Sequence, residues 1–416
     1  MSLSMKERKP IYRESAKMYQ KAGKKGKSII LDNFIIITGL NRSYASNLLR
    51  THGKKIYTKN LKIIKGDIMK KSGGRGRKSI YGEDVKAKLF FIWKVEDFIC
   101  GKQLKAALDE VIENLIRHEV IDISEETRAK LRRISAATID RLLKPERKKM
   151  ELKGRSGTKP GTLLKHLIPV RTFEDWNENR PGFFEIDLVG HDGGNSSGDY
   201  AQTLDMVDIH TGWTETYALF NKAAKWVIEA IETLREGIPF DILGLDNDCG
   251  AEFINYPMLK YCGENKFTFT RGRSGKKNDN CFVEQKNYSI VRKTVGYARY
   301  DTPLEVKILN ELYVYLRLYT NHFQPVMKLM EKIRIGSKVR KKYDEPKTPY
   351  QRVLESPFVS DEKKKKLIKI HNGLNLYELK KQITHCQVWL KKIQTEKKKH
   401  PFSSRFFYDA TNINFE

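Results

Sequence analysis

The sequence predicts an α/β core, built on a mixed five-stranded sheet with helices, set between helical segments. Three observations point there. Residues 181–300 change from helical to strand-like periodicity, so that apolar positions alternate rather than recurring every third or fourth residue. Turn-forming residues such as His210-Thr211-Gly212 punctuate that stretch at strand-length intervals. The residues on either side return to helical spacing.

The first pair of elements reads as a helix-turn-helix. Ser28 to Thr38 carries apolar residues at Ile29, Ile30, Phe34 and Ile37, Gly39 interrupts it, and Asn41 or Arg42 begins a second helix through Arg50. That second helix would turn Ala45, Leu48 and Leu49 inward and offer Arg42, Ser43, Tyr44, Ser46 and Asn47 to a major groove. In the loop Lys70 to Lys78, glycines alternate with Arg75 and Arg77; the segment suits a minor groove, and equally a solvated linker. Residues 83–143 read as a second helical domain, with Trp93 in its core and Ser135 as N-cap of a short second recognition helix. A basic linker runs from Lys144 to Lys159.

In the core, Phe183–Val189, Gln202–Ile209 and Trp213–Phe220 read as successive antiparallel strands. Ala223–Arg235 is an amphipathic helix, Phe240–Leu245 a fourth strand and Phe267–Thr270 a fifth, before a helix that bears Glu284. Three antiparallel strands followed by alternating helix and strand is the order of a ribonuclease-H-like fold. Beyond residue 300 a basic, mainly helical region follows, with Lys332 to Lys342, Lys363–Lys366 and Lys397–Lys399 extending the charge. The expected segmentation is 1–69 helix-turn-helix, 70–82 linker, 83–145 second helical DNA-binding domain, 146–180 basic linker, 181–300 catalytic core and 301–416 C-terminal region.

Charge says what such a protein handles. The 416 residues carry a formal +28, yet residues 181–260 hold fourteen acidic against four basic residues, leaving +38 on the rest. An acidic centre between strongly basic arms fits a cation-binding site flanked by phosphate-binding surfaces. No apolar stretch approaches membrane-spanning length. The five cysteines form no C-x-x-C pair, which excludes a zinc-held DNA-binding module and fits a reducing cytoplasm.

Three carboxylates stand out. Asp187 lies mid-strand in Phe183-Phe184-Glu185-Ile186-Asp187-Leu188-Val189, Asp248 just past the fourth strand, and Glu284 at the start of its helix, with 35 residues between the last two. Oxygen ligands of this kind hold pairs of divalent ions that cut phosphodiesters. Asp187 would bridge two Mg²⁺ ions, with Asp248 and Glu284 each completing one shell. Asp246 shares a strand face with Asp248 and competes for the second place. Glu185 is a weaker helper, and of Asp205 and Asp208 at most one points at the site. Arg271, Arg273, Lys276 and Lys277 form a basic loop at its mouth, suited to phosphate.

Asp187, Asp248-x-Gly250-x-Glu252-Phe253 and the block Lys277-Asn278-Asp279-Asn280-x-x-Val283-Glu284-Gln285-Lys286-Asn287 resemble the retroviral-integrase-type core of bacterial insertion-sequence transposases of the D,D(35)E kind. Where that family has Asp-Asn-Gly, this chain has Asp248-Cys249-Gly250. The resemblance implies Mg²⁺-dependent cutting at transposon ends and strand transfer, with Mn²⁺ able to substitute. It also implies double-stranded terminal-repeat and target DNA as partners, a homo-oligomer on DNA, and a bacterial cytoplasmic, nucleoid-associated location. The alternatives are an inactive DNA-binding repressor and a ribonuclease-H-like nuclease that cuts without joining.

Overall fold

The computed structural model describes residues 5–57, 63–65, 80–147, 179–248, 250–272 and 281–399. It divides into two compact units, Met1–Ser79 and Ile80–Glu416.

In the first unit, helices α1 (Met5–Lys21), α2 (Lys24–Thr38) and α3 (Arg42–Thr51) precede a short antiparallel pair, β1 (Lys55–Tyr57) and β2 (Ile63–Lys65). Gly39 ends α2 in the left-handed region at φ 68°, a conformation that a Cβ would oppose. Asn41 then caps α3, its side-chain oxygen accepting the Ser43 N–H at 2.9 Å. Ala45 and Leu49 are buried with Ala16, Tyr19, Leu31 and Phe34. Ser46 bonds the Tyr19 hydroxyl at 3.1 Å rather than facing out. The apolar face of α2 also differs from the expected one: Ile29 is 62% and Ile37 45% exposed. Helix α1, absent from the sequence reading, brings Ala16 and Tyr19 against α2 and α3 and so decides which α2 face is covered.

In the second unit, α4 (Glu83–Val95), α5 (Gly101–Arg117), α6 (Glu125–Arg133) and α7 (Ala136–Arg147) come first. Ser135 accepts the Thr138 N–H at the start of α7. Trp93 is fully buried. These helices do not form a core of their own: their apolar residues join those of one sheet face and of two C-terminal helices in a single cluster. The Tyr319 hydroxyl donates to the Val95 carbonyl at 2.7 Å, and Asn114 Nδ2 to the Leu374 carbonyl at 2.9 Å, across that seam.

The sheet contains β3 (Phe183–Gly190), β4 (Gln202–Asp208), β5 (Thr214–Leu219), β6 (Gly244–Asn247) and β7 (Thr268–Arg271), with α8 (Ala224–Arg235) and α9 (Tyr256–Glu264) between strands. Among the described residues its order is β5-β4-β3-β6-β7. β3, β4 and β5 pair antiparallel, while β3–β6 and β6–β7 pair parallel. It has the strand number and directions expected from the sequence. The fourth strand starts later than expected because Phe240 and Ile242 are apolar for packing, not pairing: both are buried in the core beneath α8 and α9.

A helix packed on the other face runs from α10 (Cys281–Lys286) through a π-helical turn (Asn287–Arg292) to α11 (Lys293–Val295). Beyond it lie α12 (Pro303–Phe323), the antiparallel strands β8 (Leu329–Ile335) and β9 (Lys338–Tyr343), then α13 (Pro349–Glu355), α14 (Asp361–Gly373) and α15 (Leu376–Lys399). The basic stretch Lys332 to Lys342 is therefore a β-hairpin inside an otherwise helical region. Edge strand β5 is covered by two asparagines of α12. Asn310 exchanges bonds with the Ala218 N–H and carbonyl at 2.6 and 3.0 Å, and Asn321 does the same to Thr214 at 2.9 and 2.8 Å. Side chains thus occupy backbone groups that an open edge would offer to another chain. Among the described residues no helix is long and apolar enough to cross a membrane.

The α2 correction can be measured. Phe34→Ala is expected to lower stability by about 3–5 kcal/mol, the usual cost of emptying a buried aromatic site, in denaturant titrations that follow the first unit. Ile37→Ala should change it by less than about 1 kcal/mol, as exposed positions do.

Candidate active site

Strand alternation gives the sheet two unlike faces. Phe184, Ile186 and Leu188 of β3 enter the core shared with α8 and α9. Glu185 and Asp187 therefore point to the other face, beneath α10. The antiparallel register sets Asp205 opposite Asp187, and the parallel register sets Asp246 beside Glu185. β6 ends at Asn247, so Asp248 leaves the sheet next to Asp187. Four acids of three neighbouring strands thus share one face, with Asp248 at its rim.

Asp187 is half-buried and its carboxyl is pushed up to about 8, first by desolvation and then by the charge of Asp248. Two hydrogen bonds oppose that rise, from its neighbour Leu188 N–H at 2.8 Å and from Asn287 Nδ2 at 2.6 Å. Asp248 is exposed, with Oδ1 accepting the Gly250 N–H at 2.9 Å. Glu252 contributes to the same crowding: its carboxyl is raised by burial and by Asp248, and its charge adds to the rise at Asp187. Asp246 is buried, and its Oδ1 accepts the Thr270 hydroxyl.

Glu284 stands on the exposed side of α10. Its helix is tied to the acidic face at two points. Glu185, fully buried, accepts the Val283 N–H at 2.8 Å, and Asn287 opens the π-helical turn by reaching Asp187. Glu185 is thus a tether of the helix rather than a carboxylate turned to solvent. π-Helical turns of this kind recur at functional sites. Among the described residues no three His, Cys, Asp or Glu side chains converge closely enough to hold one ion: Asp187 and Asp248 are brought together, and Glu284 is carried on the helix that packs over them.

Asp205 was ambiguous in the sequence. It is fully buried, neither carboxylate oxygen has a hydrogen-bond partner among the described residues, and its carboxyl is raised well above the usual range by burial, against the pull of the Lys286 ammonium. Burial in turn draws Lys286 down to about 8. Asp208 serves structure: it accepts the Gly182 N–H at 2.8 Å and the Thr211 N–H at 2.7 Å. His191 is structural too, bonded to Thr203 at 2.7 Å and held down to about 3 by burial.

The remaining candidates divide by position. Arg271 ends β7, half-exposed, while Arg273, Lys276, Lys277 and Asn280 lie outside the described residues, as do Arg75 and Arg77. In the first unit Arg42, Ser43, Tyr44 and Asn47 form an exposed face of α3. Arg42 is held there by Asp32 and by Ser28 Oγ at 3.3 Å.

No protein-family model matches the chain. A protein of Sinorhizobium fredii (strain NBRC 101917 / NGR234), described as "Uncharacterized protein y4rM", is 35% identical over 350 residues, covering 84% of this chain and 96% of the relative. The chain belongs to the y4rM family. Solved structures similar to this y4rM-family chain include the HTLV-2 integrase catalytic core domain in complex with magnesium (dimeric form), at 12% identity and a TM-score of 0.27, covering 35% of this chain and 91% of that one. The BIV integrase catalytic core domain is similar at 15% identity and a TM-score of 0.25, covering 41% and 91%.

The carboxylate crowding has a pH signature. The Asp187 carboxyl holds its proton in the folded state up to about 8, against 3.8 for the ordinary side chain. Folding therefore binds a proton through that window, and stability falls as pH rises across it. In this y4rM-family protein, Asp187→Asn should raise the thermal midpoint at pH 8 and leave it unchanged below pH 4, in metal-free melting curves.

Proposed function

We propose that this y4rM-family protein is a metal-dependent polynucleotidyl transferase, a DNA transposase with a ribonuclease-H-like, integrase-type core. The observation that carries the reading is the Asp187–Asp248 pair: two carboxylates brought together at the rim of one sheet face, the Asp187 carboxyl raised by burial and then by the Asp248 charge, with the helix of Glu284 tied over them. Ordinary folds keep like charges apart, and perturbed carboxylates of this kind mark functional sites. A bound cation would offset the negative charge these carboxylates acquire on losing their protons, and oxygen donors of this kind suit divalent ions.

Asp187, Asp248 and Glu284 would hold two Mg²⁺, or Mn²⁺ in their place. Bound there, such ions would supply activation of the attacking water or 3′-hydroxyl and charge stabilisation of the leaving oxygen. The protein's part is positioning. Asn287 orients Asp187, Glu185 sets the start of α10, and the buried Asp205, within the influence of the Lys286 charge, sits opposite Asp187 on β4. The preference for Asp248 over Asp246 is supported by their exposure, since Asp246 is buried whereas Asp248 is at the exposed rim. No side-chain nucleophile is required.

DNA would be gripped by basic surfaces, including the α3 face with Arg42, Ser43, Tyr44 and Asn47, the Arg75 and Arg77 loop, and Arg271 with Arg273, Lys276 and Lys277. Terminal repeats would be read by helices and target DNA held through its backbone. Joining two ends in one reaction calls for a homo-oligomer on DNA.

The test is a Mg²⁺-dependent assay on labelled terminal-repeat duplexes. Joined products are expected from the unaltered protein, and Asp187→Asn, Asp248→Asn and Glu284→Gln should each reduce them by about a hundred- to a thousandfold, the scale of losing electrostatic stabilisation in the transition state. DNA affinity should stay within a few-fold. Nicks without joining would make it a nuclease, and tight binding without cleavage a repressor.

A further inference from the structure

The hairpin β8–β9 is the one long element of the second unit, among the described residues, that the body leaves uncovered. Every side chain described from Met330 to Tyr343 is exposed, with Ile333 at 44% and Ile335 at 60%. A lone two-stranded ribbon is marginally stable in water, so its root must hold it. The Lys328 N–H donates to Asp344 Oδ1 at 2.6 Å, and Asp344 Oδ2 pairs with the largely buried Arg352 at 2.8 Å. Val326 and Lys347 bridge just behind, and Lys328 Nζ donates to the His210 carbonyl at 2.8 Å at the end of the main sheet. The ribbon is fixed at its base and open along its length.

Its charge is one-signed. Arg334, Lys338, Arg340, Lys341 and Lys342 carry no carboxylate partner among the described residues, and Glu331 is the lone acid on either strand. The register places Ile333 opposite Arg340 and Ile335 opposite Lys338 on one face, and Arg334 opposite Val339 on the other, where Lys341 also lies by alternation. Cations therefore line both faces. Lysines can simply guard an exposed edge against pairing, but that role does not explain isoleucines left in the open. At the root, a cleft of about 400 Å³ is lined by Lys102 and Lys105 of α5 together with Lys341 and Lys342, so the positive surface continues from ribbon to body.

We infer that β8–β9 is a DNA-binding ribbon that enters a groove of duplex DNA, with the lysine-lined cleft at its root taking the adjoining phosphate backbone. A two-stranded ribbon matches the width of a B-DNA major groove. Cations on both faces suit a groove walled by two phosphate ridges, whereas a ribbon lying on a bilayer would bury one wholly apolar face. Ile333 and Ile335 would meet base edges or thymine methyls. The partner class rests on the nucleic-acid reading above; the carboxylate chemistry does not enter.

The experiment measures binding of the full chain to a short mixed-sequence duplex by fluorescence anisotropy over a range of salt. The variant K338Q/R340Q/K341Q/K342Q should bind at least about tenfold more weakly at physiological salt, with the slope of log affinity against log salt reduced by about three, from close to one counterion per lost phosphate contact. I333S/I335S should weaken binding several-fold and leave that slope unchanged. Circular dichroism melting should match the unaltered protein for both, since neither set is buried. Unchanged affinity and slope in the lysine variant would overturn the proposal, as would tighter binding to anionic phospholipid vesicles than to duplex. Loss of duplex binding in the ribbon variants, where the unaltered protein neither cuts nor joins, would support the ribbon and sink the transposase reading; normal cutting and joining with normal binding by the ribbon variants would do the reverse.

Discussion

The parallel pairing of β3 with β6 is the constraint on which the candidate site depends. With Glu185 beside Asp246, the next same-face positions outward are Asp187 and Asp248, and no other register brings those two together. A slip of one residue would turn Glu185 and Asp187 into the apolar core and expose Phe184, Ile186 and Leu188. The hydrophobic effect on one sheet face thus enforces electrostatic crowding on the other. The structure tolerates that crowding through specific contacts: Asn287 on Asp187, the Val283 N–H on Glu185, and the Lys286 charge near Asp205.

The same asymmetry explains how the flanks are used. The apolar face is closed by α8 and α9. The acidic face cannot be closed by apolar side chains alone, so it carries α10 and its π-helical turn over the carboxylates and turns apolar only toward Val189 and Ala218, where α12, α15 and the helices α4 to α7 pack. The helices α4 to α7 thereby share their apolar core with α12 and α15. In that arrangement α7, with its Ser135 cap, is braced by the core, and the ribbon β8–β9 springs from the same body.

Much of this was legible in the chain because short-range rules governed it. Strand alternation located β3, β4, β5 and β7 to within a residue or two, and Gly39 with Asn41 marked the boundary between α2 and α3. Local rules failed where a partner distant in sequence decided the outcome. The covered face of α2 depends on α1, and Phe240 and Ile242 looked like strand residues because packing alone makes them apolar. In β8–β9 the alternation was hidden because charges occupy both faces, so a period of two left no apolar stripe. Glu185 was recognisable as near the site and Asn287 as part of the Glu284 block, but their hydrogen bonds to Val283 and Asp187 join residues about a hundred apart in sequence and leave no mark in either local stretch. The π-helical turn that aims Asn287 has no sequence period of its own.

The central claim is that the carboxylates around Asp187 form a divalent-metal centre. Anomalous scattering from a crystal of the protein soaked with Mn²⁺ tests it most directly. Anomalous density on that face, beside Asp187, Asp248 and Glu284, is the predicted result. Density absent from that face at saturating Mn²⁺, or centred on Asp246 with Asp248 turned away, would contradict it.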